Sequence, residues 1–322
     1  MTAQRPHPPF DPELAALYGA SLTDTPFAMT ADMLPFARTP DLSDEEIDEA
    51  LRARGLERRD FTISGYRGDE IVVSTISRPG HTGSAACFYT IHGGGMIVGS
   101  RLDNLASFDE WMFVHDAVMV TVEYRLAPEH PDPFPVEDCY AGLEWTAANA
   151  DLLGIDPARI VIVGTSAGGG LAAGTALLAR DRQGPALHAQ ILMCPMLDDR
   201  DRTVSAEQID GVGVWDRQAN NFGWSSLLGD RRGGDDVSVY AAPARATDLS
   251  GLPQTYIDCG SAEVFRDEAV AYASGLWAAG INAELHVWAG GFHAFPVLVP
   301  NAAVSRAATA ALASFTARIL TV

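Results

Sequence analysis

Three glycine-flanked stretches of this chain could place reactive groups where a polypeptide ordinarily only turns. "GTSAGG", Gly164 to Gly169, lies between the apolar run "RIVIV" and the small-residue helical pattern "GLAAGTALLARD". A serine at such a strand-to-helix turn projects its hydroxyl above the sheet at a helix N-terminus, where the dipole and free N–H groups favour developing negative charge. Ser166 can act as a nucleophile only if a base accepts its proton. For this turn the partners follow in the order serine, acid, histidine, which leaves His188, His286 and His293. His188 directly precedes the next strand, with no acid in a suitable loop before it. His286 alternates within the strand-like "AELHVW". His293 sits just past that strand in "AGGFHAF", a glycine-flanked loop able to approach the hydroxyl, and is the expected base.

The acid should occupy the loop after the preceding strand. In "TYIDCGSAEVFRDE", Asp258 falls inside the strand, and Asp267 and Glu268 open the next helix as dipole partners. Glu263 lies between them, and its task would be to orient His293 and stabilise its imidazolium. The third stretch, "HGGG" at His92 to Gly95, follows the apolar "AACFYTI". Backbone without side chains can turn its N–H groups toward a carbonyl oxygen, and with the N–H of Ala167 the glycines would form an oxyanion hole.

These groups need a scaffold that ends several strands at one edge. Strand patterns begin near residue 58 with "RDFTISGY", "EIVVSTISRP", "AACFYTIHG" and "AVMVTVEYR". Helix and strand then alternate through "VEDCYAGLEWTAANADLLG", "RIVIVG", "AGGGLAAGTALLARD", "AQILMCP", "LPQTYIDCG", "FRDEAVAYASGLWAAG", "NAELHVWAG" and a last helix, "AAVSRAATAALASFTARIL". Apolar strands separated by helices predict an eight-stranded, mostly parallel sheet covered on both faces. Residues 1–55 carry short amphipathic helices, one opened by the capping-box pair Ser43 and Glu46. An aromatic helical stretch at about 198–229 interrupts the alternation and is expected over the sheet's C-terminal edge.

Composition narrows the chemistry. The 22 basic residues are all arginine, which excludes Schiff-base chemistry, a Walker A lysine and a Ser-Lys dyad. A formal charge of −20 opposes binding to nucleic acid or to anionic membranes. The four cysteines stand far apart without metal or disulfide spacing, and no apolar leader or membrane span is visible, so a cytoplasmic protein is expected.

The combination "HGGG", "EYRLAPEHPDPFPVEDC", "GTSAGG", "EVFRDE" and "GGFHAF" resembles the hormone-sensitive-lipase family of α/β-hydrolases, bacterial esterases among them, from about Phe61 to the C-terminus. The resemblance implies an α/β-hydrolase fold with a helical cap built from residues 1–55 and the insertion at about 198–229. It implies Ser166, Glu263 and His293 as triad, with Gly94, Gly95 and Ala167 as the oxyanion hole. Thr165 and Glu263 stand where many members carry aspartate, which is the pattern of one subgroup. Met33, Phe36, Trp215, Phe222 and Trp224 are the expected walls of an apolar pocket for short- to medium-chain esters. No metal or organic cofactor is implied, and a homodimer through an edge strand such as 283–289 is expected. Lactone, amide or acyl-transfer chemistry would use the same triad. Plant gibberellin receptors resemble the family too, but they lack the catalytic histidine, which His293 supplies here.

Overall fold

A computed structural model describes residues 5–19, 22 and 29–321; residues 1–4, 20, 21, 23–28 and 322, part of the expected N-terminal cap segment among them, lie outside the described residues. The chain begins with helices α1 (Pro12–Tyr18), α2 (Leu34–Ala37) and α3 (Asp44–Ala53). Strands β1 (Glu57–Ser64), β2 (Glu70–Ser77) and β3 (Ala85–Ile91) follow, then α4 (Asp109–Val114) and β4 (Val118–Val122). Next come α5 (Phe134–Ala148), α6 (Ala150–Leu153), β5 (Ile155–Thr165), α7 (Ala167–Asp181) and β6 (Ala189–Met193). Helices α8 (Val204–Gln208) and α9 (Arg217–Leu228) precede β7 (Gln254–Gly260) and α10 (Arg266–Ala278). The chain closes with β8 (Ala283–Trp288), α11 (Phe295–Leu298) and α12 (Ala303–Leu320).

The eight strands form one sheet in the order β1-β2-β4-β3-β5-β6-β7-β8. β1–β2 and β2–β4 pair antiparallel; every other neighbouring pair is parallel. The central strands are mostly apolar because both faces are covered: all five residues of β4, Thr121 included, are buried. One face packs on α5, α7 and α10 through Tyr89, Ile162, Leu171 and Tyr272. The other packs on α4 and α12 through Phe88, Val161, Trp111 and Phe315. Helix α7 is built almost entirely of Gly, Ala and Leu, so its backbone can lie close against the sheet.

Two N-terminal helices do different jobs. α1 packs with Leu22, Phe292 and Phe295, so it braces the loop that carries His293. α3 has the predicted Ser43–Glu46 capping box, but its Leu51 joins Leu56, Met112 and Met119 beneath the sheet. It belongs to the layer under β1 and β2, because its one apolar stripe finds its partners there and not above the strand ends.

Candidate active site

The C-terminal ends of the parallel strands deliver the three expected side chains from separate loops. β5 ends in Thr165, Ser166 follows, and α7 starts at once at Ala167. The turn forces Ser166 to φ 60°, ψ −122°, a conformation costly for a residue with a Cβ. Its backbone is held on both sides: Ser166 N–H donates to Met193 O at 2.8 Å, and Met196 N–H donates to Ser166 O at 2.9 Å. Glycine is required around it. A Cβ on Gly164 would lie 2.0 Å from Gly168 O, and one on Gly168 would lie 2.1 Å from Ile91 O.

His293 comes from the loop after β8. Its Nε2 accepts from the Ser166 hydroxyl at 2.9 Å, and its Nδ1–H donates to Glu263 Oε2 at 3.0 Å. An ionised carboxylate can only accept, so Glu263 fixes the tautomer that leaves Nε2 free to take a proton. All three residues are buried. Burial pushes the Glu263 carboxyl up from its ordinary value, while the His293 hydrogen bond and the nearby Arg266 pull it down. Its other oxygen, Oε1, has no protein partner among the described residues, so hydrogen bonding offsets only part of the desolvation.

The acids set aside in the loop have other partners. Asp267 accepts from Ser205 N–H at 2.8 Å and pairs with Arg266. Glu268 is buried and accepts from Leu197 N–H at 2.6 Å, bracing the chain just past β6. His188 lies at the opposite end of the sheet with Nε2 against Ile319 O, and His286 stacks on Trp288 beside Glu284.

The HGGG loop leaves β3 directly beside this turn. Gly94, at φ 101°, could not carry a side chain: a Cβ there would lie 2.1 Å from Val98 O. The carbonyls of the loop are tied down one after another. The Tyr124 hydroxyl donates to His92 O at 3.0 Å and to Gly93 O at 3.3 Å. Ile97 and Val98 N–H groups both donate to Gly94 O at 3.0 Å. A trans peptide points its N–H opposite its C=O. Pinning Gly93 O therefore aims the Gly94 N–H away from Tyr124, and pinning Gly94 O aims the Gly95 N–H away from Val98. Among the described residues neither amide has a protein acceptor. Ala167 opens α7, so its N–H has no carbonyl one turn back to bond. Tyr124 was not among the expected site residues; its signal is a polar aromatic two positions beyond an apolar parallel strand.

Above Ser166 lies a cleft of about 690 Å³, the size of an ordinary small-molecule site. Its walls include Gly93, Gly94, Val98, Val214, Trp215 and His293. Trp215 lies over the HGGG loop, so close that a Cβ on Gly95 would meet its ring at 2.5 Å. The other expected wall residues lie elsewhere. Phe36 points to solvent at 82% exposure, because it stands two positions after the buried Leu34 and so lies on the opposite side of α2. Trp224 is wholly buried, on the face of α9 that packs into the core. Met33 and Phe222 pack on that same core and do not line the cleft.

Cys194, Glu263 and His293 bring donor atoms within 4.8 Å of one another, as metal ligands do. The carboxylate and the imidazole are already bonded to each other, and burial pushes the Cys194 thiol well above its ordinary value, away from the thiolate a metal needs. The arrangement suits proton transfer better than metal binding.

Comparison with known proteins agrees with this geometry. The family described as alpha/beta hydrolase fold matches residues 88–297. Carboxylesterase NlhH of Mycobacterium tuberculosis (strain ATCC 25618 / H37Rv) is 37% identical over 226 residues, covering 66% of this chain and 68% of NlhH. A bacterial heroin esterase is 38% identical with a TM-score of 0.79, covering 97% of this chain and 96% of its own. Esterase LipW from Mycobacterium marinum is 31% identical with a TM-score of 0.81, covering 98% of each chain. The chain therefore belongs to the hormone-sensitive-lipase-like family of α/β-hydrolases, as a serine-type carboxylic-ester hydrolase.

Proposed function

We propose that this ester hydrolase acts on short- to medium-chain carboxylic esters through an acyl-enzyme on Ser166. The single observation that carries the reading is the unbroken hydrogen-bond series from the Ser166 hydroxyl through His293 to Glu263. His293 Nε2 takes the Ser166 proton as Oγ bonds to the ester carbonyl carbon. The resulting oxyanion accepts hydrogen bonds from the N–H groups of Gly94, Gly95 and Ala167. Collapse breaks the bond to the alkoxy oxygen, which leaves with the proton held on His293. Water then attacks the acyl carbon while His293 removes its proton, and Ser166 is released with that proton as the carboxylic acid departs.

The cleft supports a small-molecule substrate with one apolar side, Trp215 forming part of its wall beside the oxyanion loop. No helix among the described residues is long and apolar enough to cross a membrane. The reading extends to a cytoplasmic location, which four free and buried cysteines support. It also extends to a homodimer through the outer strand β8, whose Val287 is exposed. Residues near the N-terminus and the insertion holding α8 and α9 would serve as cap.

The test is a p-nitrophenyl ester series from acetate to palmitate, run on the protein and on Ser166→Ala. Turnover of the short esters that disappears in the variant supports the reading. Retained turnover in Ser166→Ala, or turnover of the longest esters alone, overturns it.

A further inference from the structure

Arg38 closes α2 and stretches out of the N-terminal segment to meet two other loops. Its Nε–H donates to Ile97 O at 2.8 Å and its Nη2 donates to Ala127 O at 2.7 Å. Nη1 and Nη2 also hold the two oxygens of Glu129, each at 2.9 Å. Glu129 is more than half exposed, and an exposed pair of this kind is worth little by itself. The guanidinium holds the Glu129 carboxyl below its ordinary value, so the pair stays charged through the neutral range. The bonds to backbone carbonyls therefore carry more meaning than the ion pair, and the carboxylate serves to hold the fork in place.

Ile97 O shares a peptide plane with Val98 N–H, and that N–H donates to Gly94 O at 3.0 Å. Gly94 O in turn shares a plane with the Gly95 N–H, one of the two loop donors proposed for the oxyanion. Ala127 reinforces the turn, because its own N–H donates to Met96 O at 2.9 Å. A cation on Ile97 O thus stands at the head of a series that runs through two rigid planes. Each hydrogen bond in the series polarises and orients the next.

We infer that Arg38 is a positioning residue for the oxyanion hole, acting through the Ile97–Val98 and Gly94–Gly95 peptide planes, with Glu129 holding its guanidinium. The inference rests on the ester-hydrolase reading above and adds to it a residue that touches no substrate. Its consequence is that the N-terminal segment sets the chemical step as well as covering the cleft. Loss of Arg38 leaves Gly94 O with its Ile97 N–H bond but slackens the Val98 one, so the Gly95 N–H is aimed less firmly, which weakens stabilisation of the transition state more than binding of the ester.

The experiment compares wild type, Arg38→Ala, Arg38→Lys and Glu129→Gln on p-nitrophenyl acetate. Rates are normalised to active sites titrated with a p-nitrophenyl alkylphosphonate. Removing a whole oxyanion donor costs about 100- to 1,000-fold, so loosening one should lower kcat about 10- to 100-fold in Arg38→Ala, with KM changed less than about threefold. Lysine can reach one carbonyl and should recover part of the loss; Glu129→Gln should show a smaller fall. A contribution to folding alone would lower the melting temperature or the number of titratable sites and leave kcat per site unchanged, and that result overturns the inference. So does a rise in KM at constant kcat. If Arg38→Ala does not fold, the lysine and glutamine variants decide between the same two outcomes. Failure of the wild type to hydrolyse any ester would instead overturn the functional reading itself.

Discussion

Gly168 lies so close to the carbonyl oxygen of Ile91 that a Cβ built on it would sit 2.1 Å away. This contact joins the first turn of α7 to the end of β3, and hence the Ser166 turn to the start of the HGGG loop. Both partners are backbone, which cannot rotate aside as a side chain can. Gly168→Ala should therefore push α7 off the sheet, destabilising the fold by about 3 kcal/mol or more. Urea unfolding and esterase activity would report it together. A variant that unfolds at the wild-type midpoint with full activity would show that the two loops need not be in contact.

His293 is the hydrogen-bond partner of Glu263, and burial already disfavours the charge of that carboxylate. Glu263→Gln keeps the shape and removes the charge that fixes the tautomer and stabilises the imidazolium. Expected is a fall in kcat of about 1,000- to 10,000-fold with little change in melting temperature. Steady-state kinetics and calorimetry on the same preparation separate the two effects. A kcat within tenfold of wild type would move the role of acid to another carboxylate.

How much of this was legible in the sequence depends on the range of the interaction. The serine turn, the HGGG run and the capping box at Ser43 are local patterns, set by backbone sterics within a few residues. The loops carrying Glu263 and His293 were legible because a parallel sheet ends its strands at one edge. What stayed hidden depends on which face a helix turns inward. Residue type alone gives no sign of which way an aromatic side chain faces, so Phe36 and Trp224 could not be separated from Trp215. Arg38 was equally silent, since its partners at Ile97 and Ala127 lie 59 and 89 residues away and are carbonyls, which leave no trace in residue type. α3 was legible as a helix, but its place beneath the sheet was fixed by Met112 and Met119, far along the chain.

Two of the corrected aromatics, Trp224 and Phe36, make a matched pair. Trp224 is fully buried and among the largest side chains of the core, whereas Phe36 is 82% exposed. Trp224→Ala should cost about 3–5 kcal/mol, and Phe36→Ala should stay within about 0.5 kcal/mol of wild type. Denaturant midpoints measure both. Similar costs at the two positions would mean that Phe36 is covered in solution.

Asp258 lies within β7, where Trp288 Nε1–H donates to its Oδ2 at 3.2 Å and the Tyr256 hydroxyl approaches the same oxygen at 3.4 Å. Burial outweighs these donors and pushes its carboxyl from 3.8 up to about 6. Between those two values the folded chain holds a proton that the unfolded chain has released. Stability from this group is therefore complete below about pH 3.8 and is lost as pH rises through about 6. Asp258→Asn removes the titration and keeps an acceptor for Trp288. Taking the difference in unfolding free energy between variant and wild type cancels the other titrating groups. That difference should climb in favour of the variant from about pH 4, then level off above about pH 7 at a gain on the order of 2–3 kcal/mol. Urea unfolding at half-unit pH steps would trace it. A difference that stays flat across the window would mean that Asp258 ionises alike in the folded and unfolded chains, and that its polar neighbours fully offset its burial.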